Sequence, residues 1–228
     1  MSYRICLVSY RDMKHPEAGG AEVIIQEVFE RIAARGHEVT LLTGMFPGAA
    51  QRDRIGRLEI HRTGSTYTFN LAAPRYFRRH LAPRGFDLVA EDLNKIPFFM
   101  PRHTDRPVLA IVPHLFGTTV FQQAPFPLAT YVWLHERFIP LVYGTSMFSV
   151  LSETTRDDLI ARGIPSENIR VIHSGMDHDL YGPSPVPVKD RPPRIVYLGR
   201  LKKYKRIEYP ILALPRVLRK APGAEYWI

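Results

Sequence analysis

Short apolar runs alternate with longer stretches of helical spacing from the first residues onward, and this alternation most narrows what the chain can become. Arg4–Ser9 is a compact apolar run, and a polar loop follows to Gly19-Gly20. Ala21–Arg35 then repeats apolar residues at helical intervals, placing Ile24, Val28 and Ile32 on one face, with Gly36 as the stop. Glu38–Thr43 reads as the next strand. Strand, crossover helix and strand are the opening of a parallel α/β sheet.

The pattern continues with strands at Leu58–Arg62, Asp87–Ala90 (running up to Glu91-Asp92), Pro107–Val112, Phe148–Leu151 and Ile169–Ile172. Helices are expected at Leu71–Leu81, around Ala129–Val142 and at Glu153–Arg162, the last capped by Ser152 and ended by Gly163. From Gly182 to Pro193 five prolines and one glycine fall in twelve residues, the composition of an extended linker. Beyond it come a strand at Arg194–Leu198, a helix from near Lys205 to about Lys220, and a strand entered at Ala224–Ile228. One βαβ is too little to bury a core of its own. The expected organisation is therefore an α/β domain over 1–181, a linker over 182–193, and the incomplete start of a second α/β unit over 194–228.

Charge narrows the class of partner. With 228 residues, 45% hydrophobic and 23% charged, the composition is that of a globular protein, and a formal net charge of +9 favours anionic partners. The one cysteine, Cys6, excludes an internal disulfide and suits a reducing, cytoplasmic compartment. No apolar stretch reaches the roughly 18 residues needed to span a bilayer. The N-terminus has no signal-peptide pattern. Nucleic-acid binding would need a reading element, and no RRM, KH or zinc-finger pattern is present.

Ligands of open parallel sheets bind beyond the C-terminal ends of the strands. Several polar residues fall at such ends: Gly19 and Gly20, Glu91 and Asp92, Asn94 and Lys95, His114, Ser152, the His173–Asp177 turn, and Gly199 with Arg200. His114 follows its strand directly and is the best placed of the nine histidines. Asp177 and Asp179 have D-x-D spacing but read as turn residues, and no zinc spacing occurs, so no metal is expected. Neither G-x-G-x-x-G nor a P-loop is present. After Gly199 the cations Arg200, Lys202, Lys203, Lys205 and Arg206 crowd the approach to a helix. A phosphate site built by Gly199, Arg200 and Lys205 explains them, and a solvated basic loop explains them equally well. Arg75, Arg78, Arg79 and Arg84 lie among Tyr76, Phe77 and Leu81, a basic amphipathic pattern suited to anionic lipid or to a solvated face.

Taken in order, PEAGGAEVIIQEVFERIAARGHEVTLLT, AIVPHLFG, SVLSETTRDDLIARGIPSENIRVIHSGMD and IVYLGRLKKYKRIE resemble glycosyltransferase family 4, the retaining, sugar-nucleotide-dependent transferases of GT-B fold. The resemblance implies two facing Rossmann-like domains, of which the N-terminal, acceptor-side one is nearly complete here. It implies that Gly20 lies near the donor phosphate, that His114 binds a hydroxyl of the transferred sugar, and that Arg200 and Lys205 clamp the diphosphate. The donor would be a UDP- or GDP-sugar, with no metal or other cofactor. Arg206 stands where the family usually has glycine, and the sequence ends before the family's Glu-x7-Glu segment. The expectation is thus a truncated portion of a hexosyltransferase.

The acceptor side is expected around Asn94 and Lys95, with Arg75, Arg78 and Arg79 facing an anionic membrane peripherally, on its cytoplasmic face. The acceptor would be a glycan or a lipid-linked sugar. The alternative is a non-catalytic module that binds a glycan, a lipid or a protein.

Overall fold

The computed structural model describes residues 1–94, 96–183, 192–199, 201 and 205–228. Its centre is an eight-stranded sheet built from β1 (Arg4–Val8), β2 (Glu38–Gly44), β3 (Arg52–Ile55), β4 (Leu58–Thr63), β5 (Leu88–Asp92), β6 (Val108–Val112), β7 (Met147–Val150) and β8 (Ile169–Val171). The spatial order is β3-β4-β2-β1-β5-β6-β7-β8. All neighbours are parallel except β3, which pairs antiparallel with β4 across a turn at Gly56. Order reverses at β1, whose two neighbours are β2 and β5. This is the switch point at which α/β sheets open a crevice.

Alternation along the central strands assigns two cores. Ile5 and Leu7 face one side, where helix α1 (Gly20–Ala34) covers them with Ile25 and Phe29. Cys6 and Val8 face the other side, under α2 (Phe69–Tyr76), α4 (Ile139–Tyr143) and α5 (Glu153–Ala161). Complete burial pushes the Cys6 thiol up, so it stays protonated and unreactive. Helix α3 (Phe126–Arg137) packs through Ala129 and Val132 onto Val120 in a smaller cluster.

The α/β alternation is as expected, with local departures. The buried stripe of α1 is Ile25 and Phe29, with Ile32 half-buried, and Val28 is exposed. Both stripes have helical spacing, and the larger Phe29 side chain takes the core. The helix expected over Leu71–Leu81 begins at Phe69 and becomes a π-turn at Phe77–Leu81, followed by a single 3-10 turn. Pro74 lies within this helix and removes a backbone donor from it. Strand β3, RDRI, escapes sequence reading because its side chains are mostly charged and half-exposed. Ser152 does cap α5, its hydroxyl accepting from Thr155 N at 3.2 Å, and Gly163 ends the helix with φ +98°. Gly36 likewise ends α1 at φ +92°.

The second unit holds β9 (Arg194–Val196) and β10 (Glu225–Trp227), paired in parallel, with α6 (Glu208–Leu218) between them. Helix α6 buries none of its residues. The proposed linker lies mostly outside the described residues. Helix α6 starts three residues later than expected, after Arg206, whose φ of 52° breaks helical continuity.

Glu91, at the end of β5, is fully buried and fastens the chain that follows. Its carboxylate accepts from Phe98 N at 2.6 Å, Met100 N at 3.1 Å and the Tyr143 hydroxyl at 2.6 Å. Burial pushes this carboxyl up to about 7. A raised folded-state value means that the native state holds a proton the unfolded chain has released. The associated stability is present below the ordinary carboxylate range and is lost as pH rises toward 7, by about 3 kcal/mol. Thermal melts should therefore fall between about pH 5 and about pH 8, and less steeply in Glu91→Gln. Equal slopes would contradict this account of Glu91.

Candidate functional site

Four adjacent strands, β1, β5, β6 and β7, end side by side, and their ends carry Ser9, Asp92, His114 and Ser152. At the switch point the buried Ser9 hydroxyl donates to Asp92 Oδ2 at 2.8 Å, and the Tyr10 hydroxyl donates to the Ile96 carbonyl at 2.9 Å. These bonds tie the end of β1 to the segment carrying Asn94, which is half-buried. Lys95 lies outside the described residues. Glu91 serves the fold as a buried anchor and does not face the cleft, and Asp92 is buried with it.

The loop from β1 to α1 is held by a buried ion pair. Arg62, completely buried at the end of β4, donates from Nε to Asp12 Oδ2 at 2.7 Å and from Nη1 to the Ala50 carbonyl at 2.8 Å. Both Nη atoms reach Asp53 at 3.2 Å. Lys14, the Arg54 amide and Arg62 together hold the Asp53 carboxyl down at about 2. The other Asp12 oxygen accepts from Lys14 N at 2.8 Å, which shapes the loop. At its far end Gly19 N donates to Glu22 Oε2 at 2.7 Å. Gly20 opens α1, and a Cβ placed on it would touch nothing within 4 Å. The space over this helix start is open, and a first helical turn offers N–H groups without partners in the helix.

His114 stands just past β6, partly open to solvent. It meets Phe116 edge-on at 4.9 Å, and neither ring nitrogen bonds to a described residue. Partial burial lowers its pKa from the ordinary 6.5, which keeps the imidazole neutral near neutral pH. The chain after it is fixed by Glu136 of α3, a buried carboxylate that accepts from Phe116 N at 2.7 Å and Gly117 N at 2.8 Å. Arg162 Nη1 is 3.7 Å from the same carboxylate. Burial raises the Glu136 carboxyl against these favourable contacts. From the first turn of α5, Thr155 Oγ1 donates to the Pro113 carbonyl at 3.5 Å.

The structure thus brings Gly20, Asn94 and His114 to one edge of the sheet. Lys205 is exposed in the second unit, and Arg200 lies outside the described residues. Arg75, Arg78 and Arg79 are exposed along α2 and the π-turn. Asp177 is a turn residue, its Oδ1 accepting from Asp179 N at 3.0 Å. Sequence reading missed Asp12, Arg62 and Glu136, whose roles depend on distant partners. One local sign of Glu136 was available: it is the only acid between Arg106 and Ser152.

Among the described residues no group of three His, Cys, Asp or Glu side chains gathers to hold a metal. A depression of about 610 Å³ lies elsewhere, near the starts of β1 and β2, lined by Arg4, Glu38, Arg57 and Arg84. Two of its cations are engaged, Arg84 with Glu59 at 2.7 Å and Arg57 with Glu30 at 4.0 Å.

The family model of Glycosyltransferase Family 4 matches residues 18–180, the region that carries this strand-end edge. The chain belongs to glycosyltransferase family 4. Solved structures agree in fold. Sucrose-phosphate synthase from Thermosynechococcus elongatus superposes with a TM-score of 0.70 at 17% identity, over 98% of this chain and 61% of that one. HepE of Anabaena, solved with UDP and glucose, gives 0.65 at 17% identity, over 98% and 60%. The lipopolysaccharide outer core galactosyltransferase WaaB gives 0.58 at 15% identity, over 100% and 60%. The fold is therefore that of GT-B glycosyltransferases, and the chain spans about three fifths of the length of these structures. No curated protein matches it significantly in sequence.

Removing the Glu136 carboxylate would leave two partly buried backbone N–H groups without their acceptor, each costing up to about 1–3 kcal/mol. Glu136→Ala should lower unfolding free energy by roughly 2–5 kcal/mol, and Glu136→Gln, which keeps one acceptor oxygen, by clearly less. Chemical denaturation measures both. A loss under about 0.5 kcal/mol in the alanine variant would contradict the assigned role.

Proposed function

We propose that the chain supplies the acceptor side and the start of the donor side of a retaining hexosyltransferase. Residues 1–181 form the acceptor domain, 182–193 the linker, and 194–228 the beginning of the nucleotide-binding domain. The donor is a UDP- or GDP-sugar, and the acceptor a glycan or a lipid-linked sugar. The observation that carries this reading is His114: a partly open, neutral imidazole at a strand end, on a loop pinned by Glu136, in a family 4 chain. HepE, which shares the fold, was solved with UDP and glucose, and this favours a nucleotide-sugar donor here.

In the proposed reaction the neutral His114 ring hydrogen-bonds a hydroxyl of the donor sugar and fixes the ring over the crevice. As the bond from the anomeric carbon to the diphosphate breaks, negative charge grows on the leaving phosphate oxygens. Arg200, Lys205 and the N–H groups at the start of α1 near Gly20 stabilise that charge without a metal. Positioned around Asn94 and Lys95, the acceptor hydroxyl attacks from the face the diphosphate leaves and passes its proton to the departing phosphate oxygen, which retains configuration.

The test is donor turnover by the full-length protein with a UDP- or GDP-hexose in the presence of a chelator. His114→Ala should reduce kcat by about a hundredfold. Because burial lowers the imidazole pKa, wild-type activity should persist below pH 6.5 and fall only as the ring protonates. An unchanged rate in His114→Ala, or the same acid limb in that variant, would overturn the role. Glycan binding without donor turnover would favour a binding module instead.

A further inference from the structure

Two segments of the chain have no exposed acid. From Arg62 to Phe86 there is no Asp or Glu, and from Arg106 to Ser152 only Glu136, which is buried on the amides of Phe116 and Gly117. The fold lays these segments side by side: Asn70 Nδ2 of α2 donates to the Tyr131 hydroxyl of α3 at 2.9 Å. On this surface large apolar side chains stand in solvent. Tyr67 is 89% exposed, Phe126 74% and Leu141 72%, with Leu71, Leu134 and Phe138 also open. Leu134 and Phe138 lie one helical turn apart at the end of α3, and Leu141 follows in α4. Cations border them. Arg75 lies one helical turn beyond Leu71, Arg78 and Arg79 follow, and exposed Arg137 packs over the Trp133 ring at 4.5 Å.

We propose that the α2–α3–α4 surface docks on an anionic lipid bilayer. An exposed apolar surface rimmed by arginines, on segments that carry no exposed carboxylate, matches a plane that is apolar at depth and negative at its headgroups. Arginine stems cover apolar surface while their guanidinium groups reach lipid phosphates. Docking is peripheral, since no described helix is long and apolar enough to cross a membrane. Helix α3 joins this face to the cleft, because its buried side carries Glu136 and so holds the loop after His114. If the transfer reading holds, a lipid-linked acceptor is then delivered beside the strand-end edge. Docking itself does not depend on that reading.

Co-sedimentation of the full-length protein with vesicles tests the proposal, comparing pure phosphatidylcholine with an equal mixture of phosphatidylcholine and phosphatidylglycerol. Binding should require the anionic lipid and weaken with salt. Arg75→Gln/Arg78→Gln/Arg79→Gln should reduce it about a hundredfold, about fivefold for each arginine. Phe126→Ser/Leu141→Ser, which leaves charge unchanged, should reduce it about tenfold. No binding to anionic vesicles, or unchanged binding by variants whose thermal melts match wild type, would overturn it. Cys6, the one cysteine of residues 1–228, is fully buried, so Leu141→Cys adds the one accessible thiol of this segment, and dye signal from the unsubstituted protein serves as the blank. A polarity-sensitive dye there should shift to the blue with anionic vesicles. A thiol shielded from the dye before any vesicle is added would show the face covered by the rest of the protein, and would also overturn the proposal. Vesicle binding is read without donor or acceptor, so its outcome is separate from that of the turnover assay.

Discussion

Loops beyond the ends of parallel strands contain backbone N–H groups that no sheet ladder can satisfy, and here buried or partly buried carboxylates meet that need. Glu22 takes the amide of Gly19, Asp12 that of Lys14, Glu91 those of Phe98 and Met100, and Glu136 those of Phe116 and Gly117. Each acid fixes one loop on the same edge of the sheet. Leaving the buried amides of Phe98 and Met100 unpaired would carry the full desolvation penalty, and the partly buried ones a share of it. The candidate site is therefore built on a rigid edge, although every residue assigned to it stands on a loop or at a helix start.

Spending acids on internal amides also shapes the outside of the molecule. The chain carries a formal net charge of +9, and Asp12, Glu22, Glu91, Asp92 and Glu136 at the strand-end edge are buried. Surface left around α2, α3 and α4 is then basic and apolar together. Such a field attracts anions, which suits both the donor proposed at the strand ends and the bilayer proposed for the helical face. Helix α3 is common to both, with Glu136 on its buried side and Leu134 on its open side.

The strands with continuous apolar runs, such as RICLV and VLAIV, were legible in the sequence because a parallel sheet buries both faces. Strand β3 was not, since an edge strand paired antiparallel can be almost entirely polar. Helix α1 was legible as a helix but not in its orientation, because Val28 and Phe29 both continue an acceptable stripe and only packing selects between them. His114 and Gly20 could be placed at strand ends from order alone. Arg62 and Glu136 could not be given roles, because a charged residue is buried only where a distant partner awaits it, and sequence spacing does not reveal Asp12 fifty positions away.

The central claim is that the edge between Gly20 and His114 receives the sugar of a nucleotide-activated donor. A crystal structure of the full-length protein with an unhydrolysed UDP- or GDP-hexose tests it most directly. The account predicts sugar density beyond β1, β5 and β6, with one hydroxyl in hydrogen-bonding range of a His114 ring nitrogen and the diphosphate near the start of α1. A sugar bound away from this edge, with His114 still open to solvent, would contradict it.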